Sequence, residues 1–250
     1  MLRSQWTFIA SMAVGVVAHA IQTWAEDNAP DRLGSVTGAV CFDGDVPLQS
    51  FADNSGKQRE LFTVHHKSRG LQDAIVYLVG KFPSLSQSGE TQPLEPVFIN
   101  QQDETFTPHV VALRDGQAIK FKNSDGGNHN VRSATLDPRN EFNVFTGAGT
   151  SYQHTLYADP KQRPIRIGCD LHRWMSDWIY VFDHPYFAVT DEQGKFEIQN
   201  IPAGTYKLVV RQPDGGLLHE QEVTVAVDKP ADISVRFVED DLKLPQQSQK

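Results

Sequence analysis

Cysteine is scarce in this chain: Cys41 and Cys169 are the only two among 250 residues. One disulfide is therefore the most that could cross-link it. Positive charge is in deficit as well, with 23 Lys and Arg against 31 Asp and Glu and a formal net charge of −8. No basic cluster interrupts that balance, and an acidic surface repels phosphate, which argues against nucleic acid as a partner. After the first twenty residues no apolar run approaches the roughly 20 residues that a membrane-spanning helix needs. Amphipathic helical periodicity is missing, and so is any His-x-His pair.

What the sequence does contain is strand-like runs. They include Val36 to Phe42, Ala74 to Val79, Ala118 to Phe121, Ile165 to Gly168, Trp178 to Phe182, Lys195 to Ile198, Thr205 to Val210 and Glu222 to Val227, some alternating and some continuously apolar. Turn signals separate them at Asp115-Gly116, Asp125-Gly126, Gln193-Gly194 and Asp214-Gly215. Many short strands with Gly- and Pro-rich connections predict an all-β chain built from sandwiches or barrels. The length suffices for two small domains, each with its own core.

The first residues speak to compartment. Arg3 precedes an uncharged apolar stretch from Phe8 to Val17, and Ala18-His19-Ala20 fits a small-x-small cleavage signal. Residues 1–20 are thus expected to be a secretory signal peptide, with a second cleavage position after Ala25. Its removal takes away Arg3 and no acid, moving the charge from −8 to −9. The mature protein is expected to be exported, periplasmic or extracellular, with no membrane span.

Cys169-Asp-Leu-His172-Arg-Trp-Met175 places a thiolate, an imidazole and a thioether on one short loop. Thiolate and thioether favour Cu(I), while imidazole suits both oxidation states of copper, so such a mixture can hold either. A trigonal His2Cys site with a weak axial Met needs one more histidine, and His129 supplies it in Asn123-Ser-Asp-Gly-Gly-Asn-His129-Asn130-Val131. Taken singly, each residue has a plainer role: solvated turn histidine, small buried thiol, core methionine. Together they fill the four positions of one metal geometry. Structural zinc usually recruits four Cys or His ligands and has no use for a thioether.

Both segments resemble the cupredoxins, in particular plastocyanin, pseudoazurin and amicyanin. There an Asn opens a short loop to His-Asn-Val, and a strand ends in Cys, then His, then Met. The similarity extends over roughly residues 96 to 183 and takes in Phe106-Thr-Pro108 and the strand, Gly turn, strand run from Val110 to Phe121. It implies a Greek-key sandwich holding one type 1 copper, with His129 and His172 bound through ring nitrogen, Cys169 as thiolate and Met175 as a long axial ligand. Asn123 and Asn130 stand in the shell around them, Asn130 locking the cysteine loop with its backbone N–H aimed at sulfur. Two departures are visible. Asn128 stands where the family tends to have Pro, and Asp170 and Arg173 put charge on a loop that often presents an apolar rim. Cys41 could pair with Cys169 in an oxidising compartment, but it lies in a separate strand-like run, where a buried free thiol is expected.

A second pattern, Thr190-Asp-x2-Gly194-x-Phe196 followed by Pro202-x-Gly204-x-Tyr206-x-Leu208, resembles the carboxypeptidase regulatory-like domain, a small transthyretin-like sandwich. Phe196 and Ile198 should point inward at period two. That family's opening strands match Gly34 to Val40 and Leu71 to Val79, on the far side of the copper segment. The expected arrangement is a sandwich of residues 34–81 plus 184–238, with the cupredoxin domain, 96–183, inserted in a surface loop. Between Gln49 and His66 the chain reads as polar and irregular, with a mobile loop at Asp53 to Glu60. His65-His66 reads as a solvated pair on a strand, Pro83 to Pro96 as a linker, and Asp240 to Lys250 as a disordered tail.

The function these features imply is outer-sphere electron transfer in the bacterial cell envelope, without substrate turnover. Multicopper oxidases need paired His-x-His clusters that this chain lacks. The implied partner is a redox protein such as a cytochrome or dehydrogenase. A copper carrier or sensor is the alternative, as is a glycan- or protein-binding sandwich with an accessory copper domain.

Overall fold

The two kinds of strand-like run, alternating and continuously apolar, occupy different places in the fold. The structure is a computed structural model describing residues 33–50, 58–82, 94–227 and 229–244. Residues 1–20, the cleavage positions and most of the expected linker lie outside the described residues. The fold is all-β. Four sheets carry it, with a small two-stranded ribbon of Leu48–Ser50 and Gln58–Glu60 beside them.

One pair of sheets is built from strands on both sides of the 97–182 segment. Leu33–Asp43 lies between Lys195–Pro202, to which it is antiparallel, and Ala231–Val238, to which it is parallel. The facing sheet runs Phe187–Val189, Ile75–Val79, Gly204–Gln212, Leu217–Val225. Between them lies an apolar core that includes Val36, Val40, Val76, Leu78, Phe196, Leu208 and Val235. Alternation decides which side chains reach it: Phe196 and Ile198 are buried while Lys195 and Glu197 are exposed, as the period-two pattern requires. The turn before that strand is fixed by Asp191, whose Oδ1 accepts the N–H groups of Gln193 and Lys195 at 2.8 Å each. Gly194 takes φ +78 there, and a Cβ on it would lie 2.2 Å from the Val40 carbonyl oxygen.

The other pair of sheets is formed within residues 97–182. One sheet runs Asn143–Thr146, His129–Ala134, Ile165–Gly168, Ser176–Phe182, Val110–Arg114; the other runs Ser151–Thr155, Ala118–Asn123, Val97–Gln102, Thr105–Thr107. Their core contains Ile99, Leu113, Phe121, Val131 and Ile167, together with Cys169 and Met175. The continuously apolar runs lie where the two sandwiches meet. In Ile75–Val79, Val76 and Leu78 face the first core, whereas Ile75 and Tyr77 face outward and join Val110, Tyr180, Phe182 and Val209 in a third apolar cluster. Each such aliphatic or Phe side chain contributes roughly 1.5–3 kcal/mol when fully buried.

Several expectations are corrected. The 49–66 segment contributes strands where an irregular stretch was expected, because Leu48 pairs with Glu60 and Ser50 with Gln58; residues 51–57 lie outside the described ones. His65 and His66 sit at a turn, not on a strand, and their rings approach to 5.1 Å. His65 Nδ1 accepts the Ser68 N–H, so that ring has a structural partner. Of the expected tail, residues 240–244 are described and hold a defined place: Glu239–Asp241 form a short 3-10 turn, Leu242 packs on the first core and Lys243 donates its N–H to Gly215. No described helix is long and apolar enough to cross a membrane.

His184, just beyond the Ser176–Phe182 strand, is buried among the rings of Phe82, Phe182 and Tyr186. Burial, opposed by the neighbouring Asp183 carboxylate, pushes its pKa down to about 4. An unfolded histidine takes its proton near 6.5, so between these values the unfolded chain binds more protons and stability falls as pH falls. Urea denaturation of the wild type at pH 7 and pH 4.5 should therefore show a loss that includes about 2 kcal/mol from this ring. His184→Gln should lose correspondingly less over the same interval; an equal loss would mean the ring is not held neutral.

Candidate metal centre

Local hydrogen bonding delivers the first histidine. Asn123 ends its strand fully buried, and its side chain closes the loop that follows: Nδ2 donates to the carbonyls of Gly127 and Thr146, both at 2.9 Å, and Oδ1 accepts the Asp125 N–H at 2.9 Å. His129 then opens the next strand, 1% exposed.

The second ligand segment leaves its strand at Gly168. The Cys169 N–H donates to the Met175 carbonyl at 3.3 Å and the Met175 N–H to the His172 carbonyl at 2.9 Å, so the loop closes on itself before Ser176 resumes the sheet. Asn130 locks it from the neighbouring strand. Its Oδ1 accepts the Asp170 N–H at 2.6 Å, and its Nδ2 donates to Asn143 and Asp170. The contact Asn130 makes with Cys169 Sγ is also through Oδ1, at 3.4 Å with the thiol as donor, whereas the resemblance implied the backbone N–H. Asp170 stays exposed and pairs with the exposed Arg132, Nε to Oδ1 at 2.7 Å, so its charge serves the loop's anchoring. Arg173 is exposed.

Cys169 Sγ lies 4.0 Å from His129 Nδ1 and 3.8 Å from His172 Nδ1, and the two nitrogens are 2.9 Å apart. A triangle with those sides has its centre about 2.1 Å from each corner, which matches metal bonds of roughly 2.0–2.1 Å to imidazole nitrogen and 2.3 Å to thiolate. Among the described residues this is the group of His, Cys, Asp and Glu side chains that comes close enough to hold an ion. Met175, 2% exposed, shares the apolar cluster with Cys169. The donor chemistry and the spacing both fit copper, with His129 and Cys169 buried and His172 half-buried.

Cys41 is elsewhere. It is a free thiol, as is Cys169, which leaves no disulfide between them. It is half-buried and not fully buried as expected, with Sγ 3.9 Å from the Ser68 carbonyl oxygen.

Two features were missed in the sequence. Asp125 Oδ2 lies 2.8 Å from His129 Nε2, and the carboxylate is itself pinned by the N–H groups of Asp103 and Glu104 at 2.7 and 3.1 Å. Burial works against its charge, but the Glu104, His129 and Asp103 hydrogen bonds outweigh that and hold the carboxyl below the usual range. A carboxylate on the far ring nitrogen fixes the histidine's orientation and leaves Nδ1 free for metal. The second feature lies behind the ligand loop. Asp214, on the turn between two strands of the other sandwich, accepts from His109 Nε2 at 2.8 Å, Trp178 Nε1 at 2.9 Å and Gln212 Nε2 at 3.1 Å. Beside it Arg59 Nη2 donates to the Trp174 carbonyl at 3.1 Å.

Comparison with known proteins places two general likenesses on this geometry. A family model described as a SpaA prealbumin-like fold domain matches residues 185–241. No curated relative matches the sequence. Among solved structures, the chain is similar to the Cu-containing nitrite reductase of Thermus scotoductus SA-01, at 22% identity and TM-score 0.33 over 42% of this chain and 28% of the reductase. A purple cupredoxin from Nitrosopumilus maritimus aligns at 17% identity and TM-score 0.29, over 34% of this chain and 98% of its own. An amicyanin variant in its Cu(I) form aligns at 12% identity and TM-score 0.30, over 42% and 97%. The resemblance is to cupredoxins and β-sandwiches in general.

Asn123→Ala tests the scaffold without metal. It strips partners from two carbonyls and an N–H in a closed loop, at about 1–3 kcal/mol for each group left unsatisfied. Denaturation of the metal-free protein should show a loss of at least about 2 kcal/mol; an unchanged midpoint would mean that Asn123 does not hold this loop.

Proposed function

We propose that the chain is a mononuclear type 1 copper protein that transfers electrons in the bacterial cell envelope, with no substrate turnover. In this reading a cupredoxin domain of residues 96–183 is inserted into a regulatory-like sandwich of 34–81 plus 184–238. The observation that carries it is the buried triangle of His129 Nδ1, His172 Nδ1 and Cys169 Sγ, sized for one ion and sharing its apolar cluster with Met175. Bound copper supplies one-electron chemistry, because this donor set suits both of its oxidation states. The two imidazoles and the thiolate would be the strong donors to that ion, and the Met175 thioether would be the weak one. Loops closed by Asn123 and Asn130 hold these donors in one arrangement, which keeps reorganisation on electron transfer small. His172 is only half-buried while His129 is 1% exposed, so the His172 ring is the ligand through which electrons reach the surface. The partner we assign is a redox protein such as a cytochrome or dehydrogenase, met outside the cytoplasm after residues 1–20 are removed.

Loaded with Cu(II), the protein should be intensely coloured by thiolate-to-copper charge transfer. Cys169→Ala should be colourless and Cys41→Ala should keep the colour. Met175→Leu should retain copper with a raised reduction potential, since a donor that helps stabilise the more charged ion is lost; failure to hold copper would remove Met175 from the weak axial role. Carrier and electron-transfer roles separate on rates. Mixing the Cu(II) form with a reduced cytochrome should give rapid electron exchange, and mixing the Cu(I) form with a strong chelator should give slow metal loss. The reverse pair of rates would make the protein a copper carrier.

A further inference from the structure

The ligand loop is closed from within by the Cys169 and Met175 amides, yet it is also held from outside, by the other sandwich. Arg59, on the Gln58–Glu60 strand, reaches 115 positions along the chain to donate to the Trp174 carbonyl, the peptide unit between Trp174 and Met175. Four residues on, Trp178 is gripped through its indole N–H by Asp214 of the same sandwich. The five residues Trp174 to Trp178 are therefore tied at both ends to a body that contributes none of the ligand atoms. The tie has consequences on either side of the carbonyl. Trp174's ring packs 5.3 Å from that of His172, and Met175 follows directly. The Asp214 carboxylate also attracts the Arg59 guanidinium electrostatically.

We propose that Arg59 is a positioning residue for the metal centre: by holding the Trp174 carbonyl it sets the placement of His172 and Met175 and makes the regulatory-like sandwich a clamp on the ligand loop. This rests on the copper reading above, although the clamp itself exists without metal. A guanidinium suits the task because its planar fork can serve a carbonyl and face a carboxylate at once, which an ammonium does less well. A side chain with the same stem and no donor removes the Arg59 bond to that carbonyl, while the two amide bonds within the loop remain.

The test compares wild type, Arg59→Met and Arg59→Lys as full-length exported protein. Met keeps much of the apolar stem and removes the charge and the donors; Lys keeps the charge and a donor. In the metal-free proteins, hydrogen exchange at the Cys169 and Met175 amides should quicken about tenfold in Arg59→Met and less in Arg59→Lys, with amides of Val97–Gln102 and Leu33–Asp43 unchanged. In the copper-loaded proteins, loss of Cu(I) to a chelator should quicken about tenfold, the lower end for groups that orient metal ligands, and the charge-transfer band should shift. Wild-type exchange at both loop amides in Arg59→Met would overturn the clamp. So would acceleration spread equally over every strand, which is what general destabilisation produces. If the wild type takes up no copper the functional reading falls, and the exchange measurement still decides whether Arg59 holds the loop.

Discussion

Two strands that meet water on neither face hold this molecule together. Ile75–Val79 sends Val76 and Leu78 into one sandwich and Ile75 and Tyr77 into the seam between sandwiches; Ser176–Phe182 sends Ile179 and Val181 into the other and Tyr180 and Phe182 into the same seam. Each sandwich thus shares a wall of its core with the junction. Separating the two bodies would expose Tyr77, Phe182 and their neighbours, a loss of several kcal/mol at roughly 1.5–3 for each large apolar side chain. The seam is therefore a third core, and the orientation of one sandwich on the other is set by side-chain packing.

The candidate metal centre inherits its order from that arrangement. Its ligand atoms come from strand ends and a seven-residue loop, places where a chain would ordinarily be most mobile. Here each is tied down by a side-chain amide or carboxylate: Asn123 closes the approach to His129, Asn130 anchors the residue after Cys169, and Asp125 orients the His129 ring. None of these groups needs metal to make its bonds. The triangle of donors is consequently present in the protein as folded, and its geometry belongs to the scaffold.

How far this could be read from the sequence depended on how local each cause was. The Cys169, His172 and Met175 spacing and the Asn123 to Val131 run sit within single loops, so chemistry and position coincide on the page. Phe196 and Ile198 were legible because alternation is a local consequence of strand geometry. The continuously apolar runs were visible, but nothing in them distinguishes a strand buried within one body from one shared between two. Asp125 lies four positions before His129, yet a charged residue in a Gly-rich turn looks like any solvated turn. Arg59 was beyond reach: its partner is 115 positions away, and its surroundings read as an irregular loop because the Leu48–Ser50 and Gln58–Glu60 strands are three residues each. Residues 240–244 escaped for a similar reason, since Leu242 and Lys243 are fixed by the distant turn at Gly215.

The parallel pairing of Leu33–Asp43 with Ala231–Val238 dictates an order of assembly. Asp43 meets Arg236, 193 positions later, and Thr190 bonds to Leu71 across 119. The first sandwich cannot close until nearly the whole chain is available, while every strand of the 97–182 segment finds its sheet partners inside that segment. Local pairings form sooner than distant ones because less chain entropy is lost in closing them. The segment that carries the ligands can therefore fold first, and in doing so it brings residues 97 and 182 near one another, turning a very long loop closure into a short one for the flanks. The early strand Leu33–Asp43 must meanwhile wait with its edges open, and any delay in delivering the last hundred residues prolongs the time for which that strand can pair with the wrong chain.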